Sequence, residues 1–295
     1  MTAQGDLQGF NADEIESILS YEYELEYAAV TRDLALSALE EVNEYGGADV
    51  LFPKGYDAIT EHLAKGLDVE LNQPIQNIDY RGDSVVVTSR SSRTWKADLA
   101  IVTVPLGVLK KDLIEFSPRL SEEKRKAISS LGYRLMNKLY LEFPQPFWDA
   151  DVDVICRVAQ TKGRRCLWYN LNSAIERPIL VSLVAGDFTE QMELWSGEDV
   201  VQDAIKVLPT IYGQDVPTPT GSLITRWRQD PFSFGSYSYL RASTTSDLRR
   251  DLAEPVDGKL FFAGEATEFD YPATVHGAYH SGLREARRIR NLLKP

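Results

Sequence analysis

The stretch that decides the fold is Leu260-Phe261-Phe262-Ala263-Gly264-Glu265-Ala266, followed by Tyr271-Pro272-Ala273-Thr274-Val275-His276-Gly277-Ala278. Its apolar run predicts a short buried strand over residues 259–262, which stops at two small residues and an acid. After a short loop, a helix is predicted over residues 275–293. Because the first backbone N–H groups of a helix have no partner within it, they can hold an electron-rich group. Gly264 would let a ligand come close to the backbone.

Upstream of this stretch, the hydrophobic period is two between residues 67 and 104. Val69, Leu71, Ile75 and Ile78 recur at that period and predict strands. Residues 97–104 are apolar almost throughout, which is typical of a strand buried on both faces in a layered α/β sheet. This strand is expected to end at Pro105-Leu106-Gly107.

The remaining sequence mixes helical and strand patterns. Helices are predicted over residues 12–44, 56–66, 120–131 and 199–208, and strands over residues 136–143, 167–171 and 179–184. Sheet-forming segments therefore lie on both sides of a mixed section, which indicates one lobe interrupted by another. We predict an α/β fold of mixed α+β character, with one lobe formed by residues 46–107 and 255–295 and a second by residues 1–45 and 108–254.

The composition limits the classes of partner. The 295 residues carry a formal net charge of −12, and phosphate binding needs clustered lysine and arginine, so nucleic acid is excluded as a partner. An acidic surface is compatible with a small cationic substrate, and equally with solubility alone. Two cysteines and three histidines without ligand spacing predict no disulfide framework and no metal site. Because no secretory signal or membrane-spanning run is visible, we expect a soluble, cytoplasmic protein.

Five segments resemble one family, in the same order as in that family. The segment FFAGEATEFDYPATVHGAYHSGLREARRI (residues 261–289) resembles the C-terminal flavin-binding signature of the polyamine oxidase and lysine-specific histone demethylase family of flavin-containing amine oxidases. The other four are GLDVELNQPIQNIDY (66–80), ADLAIVTVPLGVLK (97–110), LGYRLMNKLYLEFPQPFWD (131–149) and RWRQDPFSFGSYSY (226–239). Several ordered matches are stronger support than any one motif.

The resemblance implies FAD as cofactor and a partial Rossmann-like FAD-binding lobe interrupted by a substrate lobe. On this basis Glu265 binds the ribityl chain after Gly264, and Ala273 lies beside the flavin ring. Thr274 and Val275 offer backbone N–H groups to the pyrimidine edge, where negative charge develops on reduction. The adenine and dinucleotide side is assigned to the backbone of Ile75, Val104 and Pro105.

The resemblance also assigns residues near the reaction. Lys138 corresponds to the active-site lysine that holds a water against the flavin N5 and assists reaction with oxygen. Trp227 and Tyr237 resemble the aromatic residues beside the flavin, where an aromatic wall suits a cationic amine and its methylene groups. Tyr239 and Trp168 are further candidates of this kind, and Glu44 falls where the family lines its substrate entrance with acids.

The implied reaction is the oxidation of a polyamine-type amine to an imine, with hydride transferred to the flavin and hydrogen peroxide produced from oxygen. An L-amino-acid oxidase or desaturase of the same fold, and a non-catalytic subunit or truncated relative, are the alternatives. The family's G-x-G-x-x-G segment, which clamps the diphosphate, is not found in this sequence. We therefore expect a split or incomplete enzyme that needs an N-terminal FAD-binding partner chain, or a homo-oligomer.

Overall fold

The computed structural model describes residues 9–39, 43, 45–47, 50–213 and 215–294. Its α-helices are α1 (Ala12–Leu19), α2 (Leu25–Tyr27), α3 (Asp57–Leu63), α4 (Leu106–Lys110), α5 (Glu122–Ser130), α6 (Asn172–Ile175), α7 (Gly186–Met192), α8 (Gly197–Val207), α9 (Pro209–Tyr212), α10 (Asp247–Ala253) and α11 (Val275–Leu292). Its β-strands are β1 (Ile75–Asp79), β2 (Val85–Ser89), β3 (Thr94–Ala97), β4 (Ala100–Val102), β5 (Glu115–Ser117), β6 (Gly132–Arg134), β7 (Asn137–Glu142), β8 (Val154–Cys156), β9 (Leu167–Asn170), β10 (Ile179–Val184), β11 (Gly221–Ile224), β12 (Tyr237–Tyr239) and β13 (Leu260–Phe262). A π-helical turn (Ser20–Glu24) joins α1 to α2, and 3-10 turns occur at Thr31–Asp33, Leu36–Leu39 and Glu265–Thr267.

The chain divides into two compact units. The first unit comprises Met1–Glu40 and Leu131–Thr245, and the second comprises Glu41–Ser130 and Ser246–Pro295. The mixed α/β class predicted from the sequence is confirmed. The predicted boundaries between the lobes lie near residues 45, 107 and 254, whereas the boundaries between the units lie near residues 40, 130 and 245. As a result, α5 and α10 both belong to the second unit. These two helices pack on each other. The assignment of one lobe to the cofactor and of the other to the substrate stays a prediction.

A five-stranded antiparallel sheet in the order β11-β7-β10-β9-β8 forms the first unit's main layer. Along β7, buried Asn137, Leu139 and Leu141 alternate with half-buried Lys138 and Tyr140, as the pleat requires. The central strand β10 is buried at almost every position. One hydrophobic core lies between this sheet and α8, and it contains Leu139, Leu141, Phe143, Trp168, Leu180, Val184, Val200, Ala204 and Val207.

The core of the first unit also contains an ion pair. The Arg165 side chain is fully buried, and its Nε lies 2.6 Å from Asp203 Oδ2 on α8. Its terminal nitrogen donates to the Val200 carbonyl at 2.9 Å. Because both charged groups are hydrogen-bonded, the burial of the guanidinium is compensated, and α8 is fixed to the segment that leads into β9.

In the second unit, β1 and β5 are parallel neighbours within the sheet β3-β2-β1-β5, and β13 pairs in parallel with β4. The predicted strand over 97–104 is thus divided: β3 continues an antiparallel pair with β2, while β4 changes partner to β13. Ile101 on β4 is 41% exposed, so the expectation that this strand is buried on both faces is wrong for the chain as described. Its neighbour β13 is buried along its whole length.

The N-terminal helical prediction was too long. Residues 12–27 form the helical run that includes the π turn, and residues 31–33 and 36–39 form two 3-10 turns. The run ends at Ala28, which adopts a left-handed conformation with φ of 48° and so terminates the helix. No helix in the part of the chain that the structure describes is long and apolar enough to cross a membrane. Within that same part, no group of three or more His, Cys, Asp or Glu side chains could hold a metal ion.

Candidate functional site

The turn that follows β13 is held by hydrogen bonds at both ends. Gly264 has a φ of 124°, a conformation that other residues rarely adopt, and its N–H donates to Ser281 Oγ on α11 at 2.8 Å. Thr267 closes the turn, since its N–H and its hydroxyl both donate to the Gly264 carbonyl, at 3.0 and 2.8 Å. A Cβ placed on Gly264 would meet no atom within 4 Å, so open space borders the backbone here.

Glu265 links this turn to the loop that precedes α11. Its Oε2 accepts the N–H of Ala273 at 3.1 Å. Ala273 has a φ of 62°, in the left-handed region that alanine seldom occupies. The carboxylate therefore fixes the backbone directly before Thr274, where α11 begins.

Thr274 is the N-cap of α11. Its Oγ1 accepts the N–H of Gly277 at 3.0 Å and donates to the Tyr271 carbonyl at 2.8 Å. The helix has no acidic side chain in its first turn, and Val275 is 53% exposed. The N–H groups of Val275 and His276 lie where the helix itself offers no acceptor, which suits an electron-rich ring edge or an anion.

The residues predicted for the dinucleotide side are also in the second unit. Ile75 begins β1, half-buried, and the register between β1 and β2 shifts directly after it. Val104 is half-buried and Pro105 is exposed at the start of α4, where the Pro105 carbonyl accepts the N–H of Val108 at 2.9 Å. Ile75 is thus the first residue of a strand, whereas Val104 and Pro105 lie in the short connection between β4 and α4.

Lys138 lies in the first unit, half-buried near the start of β7. Its backbone N–H donates to Thr225 Oγ1 at 2.8 Å, and its carbonyl accepts the Thr225 N–H at 3.0 Å. These two bonds fix Thr225, in the segment that follows β11, next to Lys138. Thr225 precedes Trp227 by two residues.

A buried polar network surrounds this segment. The fully buried Asn137 accepts hydrogen bonds from the Thr225 hydroxyl at 3.1 Å and the Trp227 N–H at 3.3 Å, and its amide group donates to Glu193 Oε1 at 2.8 Å. Glu193 is also buried, and it accepts the Arg228 N–H at 3.1 Å. Trp227 itself is 40% exposed, so the network fixes its backbone while the ring stays accessible.

The other predicted aromatic residues differ in exposure. Tyr237 is half-buried, and its hydroxyl donates to the Leu25 carbonyl at 2.6 Å. Tyr239 is buried with its ring over Gly132, and burial raises the pKa of its hydroxyl. Trp168 is fully buried in the core and its Nε1 donates to the Arg165 carbonyl at 3.2 Å, so a direct substrate contact assigned to Trp168 is corrected to a packing role. Glu44 lies outside the described residues.

Residues 3–290 match the family model described as flavin containing amine oxidoreductase. The chain belongs to this family. It is 41% identical over 276 residues to lysine-specific histone demethylase 1 homolog 1 of Arabidopsis thaliana, which covers 90% of the chain and 33% of that protein. It is 38% identical over 253 residues to lysine-specific histone demethylase 2 of Homo sapiens, which covers 83% of the chain and 31% of that protein. The chain spans about a third of the length of these curated relatives.

FAD is the cofactor of this family of flavin-containing amine oxidoreductases. The second unit fits it on three observations. Open space borders Gly264, a half-buried carboxylate follows at Glu265, and an 18-residue helix begins with two N–H groups that have no acceptor within the helix. A carboxylate accepts hydrogen bonds from hydroxyl groups, and helix N–H groups suit an electron-rich ring edge, so this donor and acceptor set matches a ribityl chain and a flavin ring.

Several residues that organise these positions were not identified from the sequence. In the first unit they are Asn137, Glu193 and Thr225, and in the second they are Ser281 and Arg284. Asn137 did carry a signal, because it is a polar residue at the buried phase of the β7 alternation. Ser281 and Arg284 follow Gly277 and Ala278 on the helix face that turns toward β13. Their partners are backbone groups, the Gly264 N–H for Ser281 and the Phe262 carbonyl for Arg284, which the sequence does not show.

Proposed function

We propose that this chain takes part in the FAD-dependent oxidation of a carbon–nitrogen bond in an amine. The observation that carries the proposal is the connection between Glu265 and the start of α11, through the hydrogen bond from the Ala273 N–H at 3.1 Å. This connection joins an acceptor for hydroxyl groups to N–H donors of the Thr274–Val275 backbone. A cofactor that combines a polyhydroxyl chain with an electron-rich ring would use both.

Each residue has a proposed task. Glu265 would bind the ribityl hydroxyls, while the N–H groups at the start of α11 would stabilise the negative charge that develops at the pyrimidine edge. Lys138 would hold a water molecule through its ammonium group. When bound, FAD supplies the two-electron acceptor for the amine and the route by which oxygen becomes hydrogen peroxide.

The proposed substrate is a polyamine-type amine. The support is chemical: Trp227 has an accessible indole, Tyr237 is half-buried, and the protein carries a net charge of −12. Aromatic faces attract ammonium groups and pack against methylene chains. Apolar surroundings also favour the neutral amine, whose lone pair is needed at the reacting nitrogen. The imine formed would then be hydrolysed to an aldehyde and a smaller amine.

A second candidate substrate is an N-methylated lysine side chain. It is favoured by the names of the relatives, which are lysine-specific histone demethylases at 41% and 38% identity. Both substrates present a secondary or tertiary amine on a methylene chain. Side-by-side assays with spermine and with a methyl-lysine peptide, measuring aldehyde and hydrogen peroxide, separate the two: the polyamine proposal requires turnover of spermine.

We further propose a polypeptide partner that completes the FAD site. The second unit exposes a row of apolar side chains, Leu67, Val69 and Leu71, at 67%, 56% and 74%, and such surface is typical of an interaction site. The visible spectrum of the chain, purified alone and with the protein encoded beside it, tests this. Flavin absorbance only in the second sample supports a partner, and none in either sample favours a non-catalytic subunit.

The role of Lys138 is tested by substitution in the FAD-loaded protein. We expect Lys138→Met to slow flavin reoxidation by oxygen by at least about tenfold, a difference of about 1.4 kcal/mol in activation free energy. Lys206→Met, which replaces an exposed lysine on α8, is the matched control and should behave as the wild type. Stopped-flow absorbance measures both half-reactions, and unchanged reoxidation in the Lys138 variant would show that the lysine assignment is wrong.

A further inference from the structure

Arg284 on α11 contacts the turn after β13 at three oxygen atoms. One terminal nitrogen donates to the Thr267 carbonyl at 2.8 Å. The other donates to the Phe262 carbonyl at 3.1 Å and to Thr267 Oγ1 at 3.0 Å. Phe262 is the last residue of β13 and Thr267 the last residue of the 3-10 turn, so these bonds join the two ends of the segment that contains Glu265.

The guanidinium group is itself held in place. Its Nε lies 2.6 Å from Oε1 of Glu285, a side chain that is fully buried. Glu268, at 3.7 Å, is a second acidic neighbour, and the Phe269 ring lies with its centroid 5.4 Å from the guanidinium carbon. Because the buried Glu285 carboxylate already fixes the guanidinium, the Arg284 side chain loses little further conformational entropy when it donates to backbone oxygens.

Ser281 supports the same turn from one helical turn earlier. It is fully buried and its Oγ accepts the Gly264 N–H at 2.8 Å. Residues 281 and 284 are three apart and share a face of α11. This face of α11 therefore binds the backbone of β13 and of its turn both before and after Glu265.

We propose that Arg284 is a positioning residue for the cofactor: it holds the turn from Phe262 to Thr267 and thereby sets where the Glu265 carboxylate lies. The inference rests on the proposed function for the cofactor role of Glu265. The guanidinium binds three oxygens of the turn at 2.8–3.1 Å and the Glu285 carboxylate. Arginine is required because it presents five N–H donors spread over a planar group, whereas the three donors of a lysine ammonium lie on one nitrogen atom.

Hydrogen exchange tests the holding role without any cofactor. In the full chain, Arg284→Lys should raise the amide exchange rate of a peptide covering residues 262–275 by about tenfold, as expected for the loss of bonds to a charged group. Arg288→Lys is the matched control: Arg288 also lies 3.3 Å from Glu285, but its backbone acceptor is the Ala253 carbonyl on α10. The control should leave that peptide unchanged, and equal exchange in wild type and Arg284→Lys would overturn the inference.

Cofactor affinity tests the consequence. The titration uses whichever wild-type preparation takes up FAD, the chain alone or the chain with its partner, and the variants are prepared in the same way. Measured by fluorescence, FAD binding should be about tenfold weaker for Arg284→Lys and unchanged for Arg288→Lys. Arg284→Ala should recover affinity when millimolar guanidinium is added, while the same concentration of sodium should not restore it. Faster exchange with unchanged FAD affinity would sink the cofactor part of the inference. If the wild type takes up no FAD in any form, the proposed function fails, and the exchange measurement alone decides whether Arg284 holds the turn.

Discussion

Lys124 is a buried lysine that connects three elements of the second unit. Its ammonium nitrogen donates to the carbonyls of Asp251 and Leu252 at 3.1 and 2.7 Å. It also lies 4.0 Å from the centroid of the Phe262 ring at the end of β13. Burial lowers the pKa of Lys124 to about 8, although the nearby carboxylates of Glu254, Glu285 and Asp251 act in the opposite direction.

This pKa predicts how stability changes with pH. An unfolded lysine has a pKa near 10.4, so between about pH 8 and that value the unfolded chain binds more protons than the folded chain. The free energy of unfolding should therefore rise through this window, by up to about 1.4 kcal/mol for each unit of difference in pKa. Urea unfolding at pH 7.5 and pH 10 measures the change.

The comparison with Lys124→Met isolates the contribution of this one residue. Other groups, tyrosines among them, titrate in the same range and act equally on both proteins. The variant should lack the part of the pH-dependent gain that belongs to Lys124. An identical pH dependence in both proteins would show that the pKa of Lys124 is not lowered in the folded state.

At the residue level, the sequence identified the residues assigned to the cofactor and the reaction better than the residues that hold them in place. Lys138, Glu265 and Thr274 stood out because a family signature marks them. Asn137 and Arg284 did not, although each makes at least three hydrogen bonds around those positions. Their partners are separated from them by many residues or are backbone oxygens, and such contacts exist only once the chain has folded.

At the level of elements, the start of α11 depends on one glycine. A Cβ on Gly277 would overlap the Tyr271 carbonyl and lie 2.9 Å from Thr274 Oγ1, the atoms that form the N-cap. The close approach of the loop to the helix is possible because this position has no side chain. Gly282, on the same helix, would meet no atom within 4 Å if it carried a Cβ.

These two glycines therefore predict opposite effects of the same substitution. Gly277→Ala should lower the free energy of unfolding by about 1–3 kcal/mol, since the cap must shift to relieve the overlap. Gly282→Ala should raise it by about 0.5–1 kcal/mol, because alanine is the better helix former. Urea unfolding of both variants provides the measurement, and a Gly277→Ala protein as stable as Gly282→Ala would contradict the proposed geometry of the cap.

The elements themselves were predictable where the pattern was local. The strand over 179–184 and the helix starting at Val275 occur as expected, because a buried run and a threonine cap are readable from neighbouring residues. The strands expected around Val69 and Leu71 do not occur: within the described chain the first strand begins at Ile75. Apolar residues at every second position give the alternation that is typical of a strand, but a strand forms only where a neighbouring strand accepts and donates its backbone hydrogen bonds.

At the scale of the whole molecule, the segment over residues 67–71 has two different sides. Glu70 lies against β3, where its carboxylate accepts hydrogen bonds from Arg93 at 2.8 Å and from the Trp95 indole at 2.9 Å. Leu67, Val69 and Leu71 alternate with the acidic residues and are 67%, 56% and 74% exposed. An apolar row of this kind promotes association, whereas a net charge of −12 opposes it.

The balance between these two effects predicts association that depends on salt. Since added salt screens the repulsion but leaves the hydrophobic contribution, the isolated chain should associate more at high than at low ionic strength. Sedimentation velocity at both ionic strengths should show this shift for the wild type and a much smaller one for Leu71→Lys, which replaces the most exposed residue of the row. Leu194→Lys changes a leucine in the first unit that is 87% exposed and, as the matched control for charge and lost apolar surface, should associate like the wild type. If both variants behave alike, general charge and not the row at residues 67–71 governs association of this chain.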